Sequence, residues 1–375
     1  MNPRNLLRAL APMAAALLLT ACVAGQSSQT TTGSCLPEFP LKDGWLGGDS
    51  AYSIILPDQS TLWFFGDTFV ARTDRESRAE AAFIANSLAR STCTPEGWSI
   101  EYDWGNTRRD PQPFFALDGQ DGAPPLSYWP LSSFLHNGKL YLFLERVQRL
   151  SGGPFGFRIV GVDLATIDNP LADPADWTIA IAPLHTGDDA IPGVANIKQE
   201  RFVYLFTTLA GTRAPRHPVI LTRLPLDGLD RPADNLHHYA PGGFWREGID
   251  AKNAVRIMAE GATEMSVRYA PEQNRYIAVM TSPTPFADHA EIRFGRTPAG
   301  PWSPGVRLFY YQDQRAARER GDTQIFCYAS KEHAQFSTRD SLLVTYACNS
   351  LNDRILRDTS LYVPKAEFVS LPAGR

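Results

Sequence analysis

The chain is patterned for strands. Short runs rich in aromatic and β-branched residues recur along it, separated by clusters of Gly, Pro, Asn, Asp and Ser. The stretch Trp45–Phe69 sets the form. Tyr52–Leu56 and Leu62–Phe65 read as two strands, joined by a turn of Pro57, Asp58, Gln59 and Ser60. Strands at Phe83–Thr92 and Trp98–Tyr102 complete a unit the size of one propeller blade. The Pro-, Gly- and Asp-rich segment Asp103–Pro125 reads as a connecting loop.

The same order then returns. A second unit runs Leu131–Leu135, a turn with Asn137-Gly138, Leu140–Arg146, Arg158–Leu164 and Trp177–Ala182. A third uses Gly193–Asn196, Phe202–Thr207 and Val219–Leu224, and a fourth Met265–Tyr269, Tyr276–Thr281, Ala290–Arg296 and Val306–Tyr310. A fifth has Phe326–Gln335, Leu342–Tyr346, Ser360–Val363 and Ala366–Ser370. Helical periodicity is confined to short candidates at Glu76–Ala82 and Gln314–Arg320. Five such units predict an all-β fold, a five-bladed β-propeller over residues 44–375, in which radial closure leaves only short, protected edges. The competing architecture is a two-sheet sandwich followed by a smaller β-domain.

Within the first hairpin, Asp49 and Asp67 lie equally far from Asp58 on either side. Regular register sets them face to face, with Cα atoms about 4.5–5.5 Å apart. Like charges directly opposite are destabilising, so a matched pair calls for a cause. One Gly-Asp at a strand end is ordinary turn chemistry; two in register, among Trp45, Tyr52, Trp63 and Phe65, suggest a site. Paired carboxylates are how glycosidic bonds are cut, and the same geometry holds a cation such as calcium. In a propeller the first strand of each unit starts near a central funnel. Asp49, Trp129, Asn196, Glu264 and the Lys331–His333 segment are then expected to collect there, a make-up that suits a sugar. Trp45 and Trp129 are candidate stacking platforms, or equally buried blade tryptophans. Glu145 ends a strand and has two readings, pointing into the funnel or, the favoured one, an ion pair with Arg146 or another arginine; His237-His238 is expected in a loop, and Arg109-Asp110-Pro111 in a turn.

The N-terminus changes the picture of where the protein works. Arg4 and Arg8 precede an apolar run, Leu10–Thr20, and Leu19-Thr20-Ala21-Cys22 has the pattern of a bacterial lipoprotein cleavage box. Residues 1–21 are thus expected to be a signal peptide and residues 22–43 a linker and N-terminal arm, lipidated on Cys22. Val23 follows the cysteine, which resembles outer-membrane sorting in a diderm host. Loss of Arg4 and Arg8 moves the formal charge from −4 to −6. A mildly acidic, mixed charge argues against a nucleic-acid partner, and a monomer is expected. The remaining cysteines are even in number, which in an exported chain suggests disulfides. Cys327 and Cys348 flank a turn at Ser337-Thr338 almost symmetrically, and elimination leaves Cys35 with Cys93. Zinc-type spacing is missing, and no metal is called.

Three pieces, GGDSAYSIILPDQSTLWFFGDTF, GATEMSVRYAPEQNRYIAVMT and AEIRFGRTPAGPWSPGVRLFY, resemble the exported proteins called domain of unknown function 4185. Part of that group is placed among glycoside hydrolases of family 183, endo-D-arabinofuranosidases acting on mycobacterial arabinan. The resemblance runs roughly from Gly44 to Ser350. It implies that Asp49 and Asp67 carry catalysis and that Glu264 is a recurrent acid of the fourth unit. YASKEH, with His333, is similar to a run in related propellers. The Cys327–Cys348 pair and the Arg108–Pro125 insertion depart from the pattern.

The reading that follows is an exported glycoside hydrolase acting on a furanose-containing polysaccharide such as D-arabinan, without a cofactor. One aspartate would be held protonated by burial and its charged neighbour, the other ionised as base or nucleophile. The alternatives are a non-catalytic glycan-binding lipoprotein, in which the pair orients hydroxyls or holds calcium, and a structural propeller.

Overall fold

The computed structural model describes residues 35–73, 77–107, 110–117, 125–150, 155–210 and 217–372. The expected lipidation site, Cys22, lies outside them, as do Arg108 and Arg109. The described chain is all-β, interrupted by two short α-helices.

Among the described residues five larger sheets follow one another, with two small ones beside the first. The first joins β2 (Tyr52–Ile55), β3 (Thr61–Phe65), β6 (Ser87–Thr94) and β7 (Gly97–Asp103). A small satellite sheet of β1 (Trp45–Gly48), β4 (Thr68–Val70) and β5 (Ala82–Ile84) extends its start. A short ladder, β8 (Gly105–Thr107) with β9 (Asp110–Gln112), leads on. The second sheet is β10 (Leu126–His136), β11 (Lys139–Arg149), β12 (Phe157–Ile167) and β13 (Ile179–Thr186). The third is β14 (Ala190–Gln199), β15 (Phe202–Leu209) and β16 (His217–Pro225), widened by β17 (His237–Ala240), β18 (Phe244–Glu247) and β19 (Arg256–Gly261). The fourth is β20 (Met265–Ala270), β21 (Arg275–Thr281), β22 (His289–Gly295) and β23 (Val306–Tyr310). The fifth is β24 (Ile325–Glu332), β25 (Ser341–Ser350) and β26 (Lys365–Ser370). The paired strands are antiparallel, and tight turns join β10 to β11, β14 to β15 and β20 to β21.

The first strands of successive sheets pack side by side: β2 on β10, β10 on β14, β14 on β20 and β20 on β24. Contacts also join the first sheet to the fifth, where Ser53 Oγ lies 2.6 Å from His333 Nδ1 and Gln335 Nε2 donates to Ser53 Oγ at 2.7 Å. The main core fills the spaces between the first four sheets, around Phe64, Phe143, Phe206 and Met265. Disulfides join Cys35 to Cys93 and Cys327 to Cys348. The latter two are directly opposed on β24 and β25, as near-symmetry about their turn requires.

The hairpin register is the expected one, with Tyr52 opposite Phe64, Ile55 opposite Thr61 and, beyond a break, Gly48 opposite Thr68. The break is at Ser50 and Ala51, both left-handed at φ 68° and 57°. Across it the Asp49 N–H donates to the Asp67 carbonyl at 3.4 Å, and the Gly66 N–H to the Asp49 carbonyl at 3.2 Å.

Some local expectations fail for visible reasons. The run 83–92 is two strands, because the chain leaves the satellite sheet at Ala85-Asn86, where Asn86 donates to the Phe115 and Tyr128 carbonyls. Residues 360–363 are not a strand; Arg78 occupies that wall, donating to the Asp358 carbonyl. Residues 78–80 make a turn, whereas the other helical candidate is α2 (Gln312–Glu319), following α1 (Pro232–Asn235). His237-His238 is strand, not loop: its hairpin folds Trp245 onto Tyr204 and Tyr239.

Candidate active site

Four carboxylates from three sheets line one cavity of about 560 Å³: Asp49, Asp67, Glu145 and Glu264. They arrive from distant points of the sequence because each sits on or just before a strand that packs near the sheet-to-sheet seam. Irregular backbone marks this level. Besides the Ser50-Ala51 break, β10 shifts register between Pro130 and Ser133, and β24 between Tyr328 and Lys331, where Ala329 is left-handed at φ 62°. Such bulges re-aim side chains next to sites. In β24 the extra residue has a specific effect. Tyr328 and Lys331, three apart, face Ala347 and Thr345, which are two apart, so both side chains fall on one side of the pleat.

Asp49 is half-buried, and it lines the cavity. Oδ2 accepts hydrogen bonds from Tyr328 Oη at 2.6 Å and Tyr362 Oη at 3.1 Å, and no cation contacts it among the described residues. Burial first, then the negative charges of Asp67 and Glu264, push its pKa to about 7; the two tyrosine hydrogen bonds only partly oppose this. Gly66 makes room for the group, since a Cβ there would stand 2.6 Å from Asp49 Oδ1.

Asp67, only 7% exposed, differs in having a cation. The Arg149 guanidinium ion-pairs with Oδ1, and Trp129 Nε1 donates to the same oxygen at 3.0 Å. Burial raises the Asp67 pKa, and the Arg149 charge works against that rise. Both contacts fall on Oδ1.

Glu264 is bonded by Lys331 Nζ at 2.5 Å and by Ser50 Oγ at 3.0 Å. Lys331 is 1% exposed; it also donates to the Ala329 carbonyl at 2.8 Å and lies 4.4 Å from the centre of the Tyr52 ring. Burial lowers its pKa, opposed by the Glu264 and Asp49 charges. Glu145, 5% exposed, has no hydrogen-bond partner at Oε1, and burial with the nearby Glu264 charge raises its pKa to about 8. The expected ion pair with Arg146 does not form, because Arg146 turns to Asp163 at 3.3 Å.

The cavity therefore brings together Asp49, Asp67, Glu264 and Trp129 of the expected set. Trp45 is elsewhere: it is fully buried, stacked on Tyr102 at 4.3 Å, and donates to Ser87 Oγ, so it is core and no stacking platform. Asn196 and His333 line a second cavity of about 150 Å³, farther along the same first strands. Asn196 Nδ2 donates to Ser132 Oγ at 2.9 Å, and His333 bridges Ser53 and Thr345 with its pKa pushed down to about 3 by burial and Lys331. Among the described residues no three His, Cys, Asp or Glu side chains are arranged as metal ligands, which leaves the calcium expectation without a ligand set in them. Arg149 and Tyr362 escaped the sequence reading, and Tyr328 and Lys331 entered it without a role. Lys331 fell within the segment assigned to the funnel, and Tyr328 opens the YASKEH run.

The profile of a family described as "Domain of unknown function (DUF5005)" matches residues 39–366, which takes in the whole cavity. The chain belongs to that family. No curated protein matches this DUF5005 member. A putative hydrolase from Bacteroides ovatus ATCC 8483 is 19% identical and superposes with a TM-score of 0.65, over 87% of this chain and 86% of that one. The DUF5005 chain shares that structure's fold. More distant are an alpha-L-arabinanase mutant from Cellvibrio cellulosa (13% identity, TM-score 0.45, 88% and 93% covered) and Zg3597, a family 117 glycoside hydrolase from Zobellia galactanivorans (12%, 0.47, 90% and 88%).

Proposed function

We propose that this DUF5005 protein is a glycoside hydrolase, with Asp49 as general acid and Asp67 as base or nucleophile. The observation that carries the reading is the unequal treatment of two adjacent carboxylates. Asp49 has hydroxyl donors, two acidic neighbours and a pKa near 7, whereas Asp67 has a guanidinium. Environments that push two titratable groups apart are how acid and base roles are divided. In the step proposed, Asp49 gives its proton to the glycosidic oxygen as the C–O bond breaks. Asp67 either takes a proton from the attacking water or bonds to the anomeric carbon itself, in which case water deprotonated by Asp49 then breaks that ester bond and frees the sugar. Inversion needs carboxyls about 6.5–9.5 Å apart and retention about 5–5.5 Å. Glu264, held by Lys331, supports the positive charge that grows on the sugar ring.

The five sheets are read as the blades of a propeller, supported by the adjacency of first strands and by the Ser53–His333 contact between first and fifth sheets. The substrate class comes from the motif resemblance: a furanose-containing polysaccharide, with D-arabinan as the first to try. Export and acylation of Cys22 are part of the proposal, and mass spectrometry of the mature N-terminus tests them. The function is tested by reducing-end release from furanose and pyranose polymers. Release that disappears in Asp49→Asn and Asp67→Asn supports the hydrolase. Saturable binding without release from any polymer would replace it with a glycan-binding role.

A further inference from the structure

The acid cavity has a second half that the chemistry of sugar hydroxyls does not explain. Phe155 and Phe286, 58% and 52% exposed, stand at its mouth on loops from different sheets. Both reach the same ring, Phe326, at centroid distances of 5.8 Å, and Phe326 stacks on Tyr328 at 5.5 Å. Phe157 packs edge-on against Trp129 at 4.7 Å. Apolar rings thus run from the mouth to Tyr328, a donor to Asp49, and to Trp129, a donor to Asp67.

The polar groups beside those rings are largely committed to the acids. Tyr328 and Tyr362 donate to Asp49, Trp129 and Arg149 to Asp67, Ser50 and Lys331 to Glu264. Thr263, Thr284 and Asn349 add polar lining, but the phenylalanines offer no donor or acceptor. The rings also meet at steep angles, 42° for Phe155 with Phe326 and 82° for Phe286 with Phe326. They form a cup, not a flat platform for a pyranose or furanose face. A sugar pressed into it would leave hydroxyls desolvated and unpaired, which is costly, while a hydrocarbon would gain by burial.

We propose that the substrate carries a hydrocarbon chain, alkyl or acyl, next to the scissile bond, and that the Phe155–Phe286–Phe326 cup receives it. This rests on the hydrolase reading for the identity of the bond cut, since the cup is continuous with the carboxylates assigned to cleavage.

The test is isothermal titration of the full-length protein with methyl and n-octyl glycosides of D-arabinofuranose and D-glucopyranose, below micelle concentration. The n-octyl member should bind at least tenfold more tightly than the methyl member for at least one sugar. In a Phe155→Ser, Phe286→Ser double variant the ratio should fall to about one; both rings are exposed, so folding is not at stake. Asp49→Asn should keep the preference. A wild-type ratio of one for both sugars, or a preference unchanged in the double variant, overturns the proposal. An octyl preference that vanishes in the double variant, in a protein that cleaves no glycan, would sustain the cup and remove the hydrolase.

Discussion

The two cavities along the first strands are built from similar residues and treat them in opposite ways. In the smaller one the histidine, the asparagine and the glutamate all have partners, and among its lining Ser133 Oγ is left without one. His333 is held between Ser53 and Thr345, Asn196 by Ser132, and Glu332 by Arg268 at 2.8 Å. In the larger one charge is left uncompensated: Glu145 Oε1 has no partner, and Asp49 sits beside two other acids with only hydroxyl donors. Burial is comparable, so burial alone does not make a site. A satisfied network fixes sheets to one another; an unsatisfied one stores protonation states that chemistry can use. Lys331 joins the two, lining the smaller cavity while its ammonium neutralises Glu264 in the larger.

The sharpest way to break the contrast is to remove one side's chemistry. Asp49→Asn should lower turnover by about 10²–10⁴, the usual worth of a general acid, with the fold intact. Turnover measured at pH 6 reads this out. Next, Lys331→Met should cost about 1.5–3 kcal/mol of stability, because it takes the cation from a half-buried Glu264 that keeps Ser50 as a donor; denaturant melts check the figure.

Glu145→Gln should act with the opposite sign. The folded pKa of about 8 lies above the ordinary 4.5, so the protonated form suits the fold. Its favourable contribution is complete below about pH 4.5 and is lost as the pH rises through about 8. The variant should therefore match wild type near pH 4 and exceed it at pH 9, by on the order of 2–4 kcal/mol. Melting curves at the two pH values decide it. The smallest effect is expected from the satisfied side. Asn196→Ala removes bonds to Ser132 and Ser133 and should cost about 1–2 kcal/mol, leaving turnover unchanged.

How much of this could be seen in the sequence follows the same division. The hairpin register was legible because a turn of known composition fixes the alternation on either side, and with it the meeting of Asp49 and Asp67. The Cys327–Cys348 pairing was legible for the same reason. Contacts across sheets were not. Nothing near Arg149 says that it will reach Asp67, and nothing near Tyr362 says that its hydroxyl will find Asp49, some three hundred residues away. Trp45 misled because a tryptophan beside an aspartate suits a sugar platform and a core equally; its fate was decided by Tyr102, on a strand of another hairpin. His333 was misplaced by a small step. The bulge at Ala329 turns Lys331 toward the acids and leaves the histidine one level farther along.

The central claim is that the larger cavity keeps a proton on Asp49 up to neutral pH. Infrared difference spectra of the carboxyl C=O stretch, recorded from pH 5 to pH 9 on wild type and Asp49→Asn, test it directly. The account predicts a protonated-carboxyl band in wild type that bleaches with a midpoint near pH 7 and is missing from the variant, beside a second band lost near pH 8 from Glu145. Identical spectra for the two proteins across that range would contradict it.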